Sequence, residues 1–204
     1  MSTLYQLKPR FQNLLRPLVR SLAAAGVTAN QITVLAMLLS LASGAAIAWL
    51  PAASWPLLAL PLVLLLRMAL NAVDGMLARE HGQKSPLGGI LNEVGDVVSD
   101  AAIMLPFAWL VSIEAWLIFA LVALAWLGEF VGVVAVAIGA SRRYDGPLGK
   151  SDRAFAFGLL GLLLGLGVTP GTWSTVLLVL LNLFALATIW RRARAALREC
   201  AAAY

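Results

Sequence analysis

Two stripes of oxygen-bearing side chains are the part of this chain equipped for chemistry. Asn71, Asp74 and Ala78 fall at i, i+3 and i+7, so a helix places them on one stripe. After a short polar break, Gly88, Asn92, Asp96 and Asp100 recur every four residues, and Glu93 precedes Asp96 by three. A second helix would gather Glu93, Asp96 and Asp100 within about 60° of one face. Two facing helices with carboxylate and amide oxygens on their inner stripes make a site for a hard divalent cation such as Mg²⁺ or Mn²⁺. Carboxylates crowded in this way repel one another unless cations join them.

The elements that must position these residues are apolar. Of 204 residues, 61% are hydrophobic and 12% charged, a composition far from that of a soluble domain. Apolar runs at about 31–50, 56–79, 86–110, 115–140, 152–168 and 172–195 each approach the length that crosses ~30 Å of hydrocarbon. Leu4, Leu7, Phe11, Leu14, Leu15 and Leu18 recur at helical spacing among Lys8, Arg10, Arg16 and Arg20, the pattern of a basic helix lying on anionic headgroups. Pro9 and Pro17 interrupt that pattern. The expected fold is an all-α integral membrane protein: an amphipathic juxtamembrane helix over residues 1–25, then a catalytic domain of six transmembrane helices over 26–204.

Charge sets the expected orientation. The connections at 51–55, 111–115 and 168–172 contain no lysine or arginine, whereas every basic residue except Arg67 falls on the opposite side. The positive-inside rule then places both termini and the Asn71–Asp100 stretch in the cytoplasm. Trp49, Trp55, Trp109, Trp116 and Trp173 form an aromatic belt on the far side. The net charge of +5 is confined to short segments between apolar runs, which suits a membrane surface and phosphate-bearing substrates and excludes nucleic acid as the partner. The single cysteine, Cys200, excludes an intramolecular disulfide, and His81 has no cysteine partners for a zinc site. No cleavable signal peptide is expected.

The central stretch resembles the signature of the CDP-alcohol phosphatidyltransferase family, D-x2-D-G-x2-A-R-x8-G-x3-D-x3-D. Asp74, Gly75, Ala78, Arg79, Gly88 and Asp96 keep the residue type and every spacing agrees, while Asn71 and Asn92 replace the first and third aspartates. The resemblance implies phosphatidyl transfer from CDP-diacylglycerol to an acceptor alcohol with release of CMP, within phospholipid biosynthesis in the cytoplasmic (inner) membrane. It implies a Mg²⁺ or Mn²⁺ site of one or two ions held by Asp74 and Asp96, with Asn71 and Asn92 as amide ligands. Glu93 and Asp100 add carboxylates on the same face. Asp96 is implied as the general base, and Gly75, Ala78, Arg79 and Gly88 as the border of the CDP moiety. Arg67, one turn before Asn71, offers a fixed charge for the diphosphate.

Three other groups take roles by the same resemblance. Lys150 and Arg153 in the segment Gly149–Arg153, with Arg142 nearby, are implied as a phosphate pocket for donor or acceptor. Asn30 and Thr33, in the turn before the first span, are implied to bond the cytidine, with capping of the first helix as the plain alternative. Glu129, inside the fourth apolar run, either pairs with Arg67, faces the polar cavity, or makes a helix–helix hydrogen bond. A homodimer is also implied. The competing readings are a non-catalytic CDP-lipid-binding membrane protein derived from the family and, more distantly, a small transporter.

Overall fold

The computed structural model of the protein describes the backbone of residues 3–202 and the side chains of residues 11–202. The expectations for Leu4, Leu7, Lys8 and Arg10 concern side chains outside the described residues. Every regular element among the described residues is helical: α1 (Thr3–Ala24), α2 (Ala29–Trp49), α3 (Trp55–Glu80), α4 (Pro86–Met104), α5 (Ala115–Ala137), α6 (Lys150–Gly165) and α7 (Thr172–Ala202), with a 3₁₀ turn at Leu105–Trp109.

Local chemistry sets these boundaries. Thr28 caps α2 in a reciprocal box: its hydroxyl accepts from Gln31 N at 3.3 Å, and Gln31 Oε1 accepts from Thr28 N at 2.8 Å. Ser85 caps α4 by accepting from Gly88 N at 3.0 Å, with Pro86 at the first helical position. α1 continues through Pro9 and Pro17 as one helix. The apolar run expected over 86–110 is not one α-helix. Pro106 has no N–H to donate to Ala102, and the chain tightens there into the 3₁₀ turn.

That freed Ala102 carbonyl is where α2 meets α4. A Cβ on Gly44 would lie 1.8 Å from Ala102 O, so only glycine lets the two helices approach this closely. α2 packs on both α3 and α4, α6 and α1 pack on α3, and α5 pairs with α7. The backbones of α3 and α4 stay apart, with α2 packed on both, and Arg67 of α3 bridges the cleft to Asp96 and Asp100 of α4. The main core lies between α3, α5, α6, α7 and the 3₁₀ turn, with Leu60, Leu121, Leu160 and Leu178 fully buried and Phe107 edge-on to Phe157. A second cluster sets Val19 of α1 against Ile32, Val73, Met76 and Leu77.

α2, α3, α5 and α7 are long and apolar enough to cross a membrane. α6 has 16 residues and α4 carries three carboxylates along 19 residues, so neither meets that measure. Large apolar side chains such as Leu62, Trp116, Phe130 and Leu183 face outward, as packing against lipid requires. The protein is an integral membrane protein whose regular elements, among the described residues, are all helices.

Candidate active site

The cleft between α3 and α4 opens onto three cavities that meet at the signature. The first, about 470 Å³, is lined by Asn30, Thr33, Asp74, Gly75, Ala78, Arg79, Lys84, Gly88 and Asn92 among others. The residues assigned by resemblance to the CDP moiety thus surround one space. The Arg79 guanidinium folds over Gly75, where a Cβ would come within 2.9 Å of it. Asn30 lies over Gly88 in the same manner. Gln83 ties this rim to the start of α2, accepting from Ala29 N at 2.7 Å and donating to Val27 O at 3.3 Å. Neither Asn30 nor Thr33 caps α2; Thr28 does that, and Thr33 instead donates to Asp74 Oδ2 at 2.8 Å.

The second cavity, about 710 Å³ and mostly apolar, lies between α1, α3 and α6, with Leu64, Leu65 and Met68 leading to Arg67, Asn71 and Lys150. The third, about 250 Å³, is polar and lined by Asn92, Glu93, Asp96, Glu129, Arg142, Tyr144, Lys150 and Arg192 among others. Asn92 borders the first and third cavities, and Lys150 the second and third.

The four carboxylates that helical spacing turns toward one point do not converge: among the described residues no three metal-ligating acidic, histidine or cysteine side chains share a centre. Arginines hold two of them elsewhere. Asp100, 6% exposed, lies 2.7 Å from Arg67 Nη1 and 2.7 Å from Arg153 Nη2. Glu93 accepts from Arg142 Nε at 3.0 Å and Nη2 at 2.8 Å. Asp74 and Asp96 stay at the cleft. Asp96 pairs with Lys150 Nζ and lies 3.7 Å from Arg67 Nη2.

Glu129 pairs with three arginines and not with Arg67. It lies 2.9 Å from Arg142 Nη2, 3.0 Å from Arg153 Nη2 and 3.2 Å from Arg192 Nη1. An alternating ladder of charge therefore runs from Asp96 through Arg67, Asp100, Arg153 and Glu129 to Arg142 and Glu93. It ties α3, α4, α5 and α6 together, and Arg192, branching from Glu129, adds α7. Buried charges persist only when paired and hydrogen-bonded, and here each guanidinium meets that condition. Arg142 also stacks over Tyr144 at 4.7 Å. Burial would lower its pKa, but the hydrogen bonds it donates to Glu93 and Glu129 carry it above the usual arginine value, so it stays charged.

Arg192, counted in the sequence only among the basic residues that set orientation, belongs to this site. It is 1% exposed and also donates to Gly128 O at 2.7 Å and Asp145 O at 3.2 Å. The signal was its register: Leu178, Leu181, Ala185, Thr188, Arg192 and Ala196 form the buried stripe of α7.

The family model described as CDP-alcohol phosphatidyltransferase matches residues 26–197. The inner membrane protein YnbA of Escherichia coli strain K12 is 47% identical over 195 residues, which cover 96% of each chain. The archaetidylinositol phosphate synthase of Pyrococcus horikoshii is 30% identical over 110 residues, 52% of this chain and 53% of that one. Among solved structures, Mycobacterium tuberculosis phosphatidylinositol phosphate synthase with CDP-DAG bound superposes with a TM-score of 0.73 at 20% identity, covering 88% of this chain and 92% of that one. The same enzyme in complex with manganese and citrate gives 0.72 at 21% identity, over 88% and 87% of the two chains. At that identity the likeness is one of fold.

Proposed function

The chain belongs to the CDP-alcohol phosphatidyltransferase family, and from that premise we propose that it moves a phosphatidyl group from CDP-diacylglycerol to an acceptor alcohol, releasing CMP. The observation that carries this reading is that three chemically different cavities adjoin one another through Arg79, Asn92 and Lys150, with Asp74 lining one and Asp96 another. The first has Arg79 and Lys84 for a diphosphate and amide and hydroxyl groups for a base and ribose. The second has an apolar wall for acyl chains. The third sets a small polar space beside Asp96.

In this reading the acceptor hydroxyl enters the third cavity and its oxygen bonds to the β-phosphorus of the donor. Asp96 takes the hydroxyl proton, the bond from that phosphorus to the bridging oxygen breaks, and CMP departs. Lys150, whose side chain is 32% exposed, faces both the acyl and acceptor cavities and is placed to exchange Asp96 for a phosphate oxygen. Thr33 holds Asp74 in its rotamer.

The donor set of Asp74, Asp96, Asn71 and Asn92 suits one hard divalent ion: two carboxylates balance its charge and two amide oxygens add neutral ligands. A second ion would need charge that Glu93 and Asp100 have given to arginines. When bound, one Mg²⁺ or Mn²⁺ would neutralise diphosphate charge and polarise the transferred phosphoryl group. Arg67 takes the place of further counter-charge.

The proposed architecture is a surface helix over residues 1–25 and a catalytic domain over 26–204. α4 with its 3₁₀ extension and α6 complete six spans, their polar ends at the cytoplasmic face. Membrane location is supported by the four long apolar helices and the inner-membrane relative. The test is CMP release by the purified chain in detergent with CDP-diacylglycerol, Mg²⁺ or Mn²⁺ and a panel of alcohols. Asn71 and Asn92 favour the competing reading of a non-catalytic CDP-lipid binder, which donor binding without CMP release under every condition would select.

A further inference from the structure

We propose that the acceptor carries no phosphate and no net negative charge: it is an uncharged polyol or an amino alcohol. This rests on phosphatidyl transfer as the activity and on the third cavity as the acceptor's place. Four carboxylates line that cavity, Glu93, Asp96, Glu129 and Asp152, against three cations, Arg142, Lys150 and Arg192. None of the three cations is unpaired. Arg142 is bonded to Glu93 and Glu129, Lys150 to Asp96, and Arg192 to Glu129. Arg153, directly behind the cavity, is divided between Asp100 and Glu129.

A phosphate monoester entering this space would find both guanidinium groups on its wall already engaged by carboxylates. Lys150 is taken by the donor's phosphate in the proposed reaction, so to bind, the ester would have to draw Arg142 or Arg192 away from Glu129, whose side chain is only 14% exposed. The donor cavity has the opposite balance. Asp74 alone faces Arg79 and Lys84, neither of which enters any ion pair among the described residues. The diphosphate and the acceptor are thereby sorted by charge into neighbouring spaces. About 250 Å³, the share of roughly eight waters, suits a small hydroxyl-rich molecule. Its wall of carboxylates and paired guanidinium groups supplies both acceptors and remaining N–H donors to hydroxyls.

The experiment compares matched acceptors: glycerol with glycerol 3-phosphate, inositol with inositol 1-phosphate, ethanolamine with phosphoethanolamine. CMP release from CDP-diacylglycerol is measured for each with the full chain in detergent. The unphosphorylated member of at least one pair should have a kcat/KM at least ~10-fold higher, the scale of discrimination set by unpaired polar groups. Glu129→Gln removes the shared counter-charge of Arg142, Arg153 and Arg192, and should narrow that gap at least ~10-fold. Glu93→Gln, at the rim, does the same for Arg142 alone if the first variant fails to fold. Equal or better use of the esters by the wild type overturns the proposal. If no acceptor releases CMP, the transferase reading fails and calorimetric titration with glycerol 3-phosphate decides this one separately. Binding to the wild type overturns it, whereas binding that emerges only in a glutamine variant supports it.

Discussion

Asp96 stands where two kinds of charge meet. It borders the acceptor cavity, pairs with Lys150 and lies near Arg67. An amide at this position keeps the size and loses both the proton acceptor and one cation-holding charge. Asp96→Asn should therefore lower turnover by at least ~10²-fold, the scale of general-base help, while CDP-diacylglycerol binding is largely kept. Mn²⁺ affinity measured in the same variant separates loss of the base from loss of the ion. The metal count is a second residue-scale question. Titration of Mn²⁺ in the presence of CDP, followed by electron paramagnetic resonance, should give one ion per chain. The double substitution Asn71→Asp, Asn92→Asp should raise it toward two, since each change adds one carboxylate beside Asp74 and Asp96. Two ions in the wild type would overturn the one-ion assignment.

At the scale of the element, α2 does the positioning though it contributes only Asn30 and Thr33 to the cavities. It packs on both α3 and α4, and its seat on α4 depends on the absence of a Cβ at Gly44 opposite the Ala102 carbonyl. Gly44→Ala should destabilise the fold by about 1–3 kcal/mol, the usual cost of forcing a methyl group into a packed contact. It should also reduce turnover, because α4 carries Asn92 and Asp96. Gly171→Ala, where a Cβ meets nothing within 4 Å, is the matched control and should leave the melting temperature and CMP release near wild-type values. An equal response of the two variants would show that the α2–α4 contact is not limiting.

In the proposed topology of the whole molecule, the basic residues other than Arg67 and the candidate site lie at one end of the bundle, and the connections at 51–55, 111–115 and 168–172, which hold no lysine or arginine, at the other. Cys200 is the single cysteine, so Cys200→Ser makes a clean background for accessibility mapping. Ala52→Cys and Thr169→Cys should react with a membrane-impermeant maleimide applied to intact cells from outside the cytoplasmic membrane. Lys84→Cys should react only after that membrane is opened. Outside labelling at position 84 would reverse the proposed orientation and put the donor cavity on the wrong face for a cytoplasmic nucleotide.

The local patterns were legible in the linear chain because they depend on residues within a turn or two of one another. The Asn71–Ala78 and Gly88–Asp100 stripes and the apolar runs close to the bounds of α2 to α7 follow from helical period, whereas a shared place for Asn30, Thr33, Gly75, Ala78, Arg79 and Gly88, which lie on three helices, was implied only by the family resemblance. Partnership was not legible. Helical spacing alone turned Glu93, Asp96 and Asp100 toward a common centre, but which cation each one meets depends on helices distant in the chain. Arg153 reaches Asp100 from α6, and Arg142 reaches Glu93 from the loop after α5. Glu129 and Arg192 are joined only because α5 and α7 pair along their length. Likewise the apolar run over 86–110 hid the 3₁₀ turn at Pro106, and the use of the Ala102 carbonyl it frees, a close seat for Gly44, required α2 to be there. Periodicity determines which face a side chain occupies; only tertiary packing decides which opposite charge will be waiting on it.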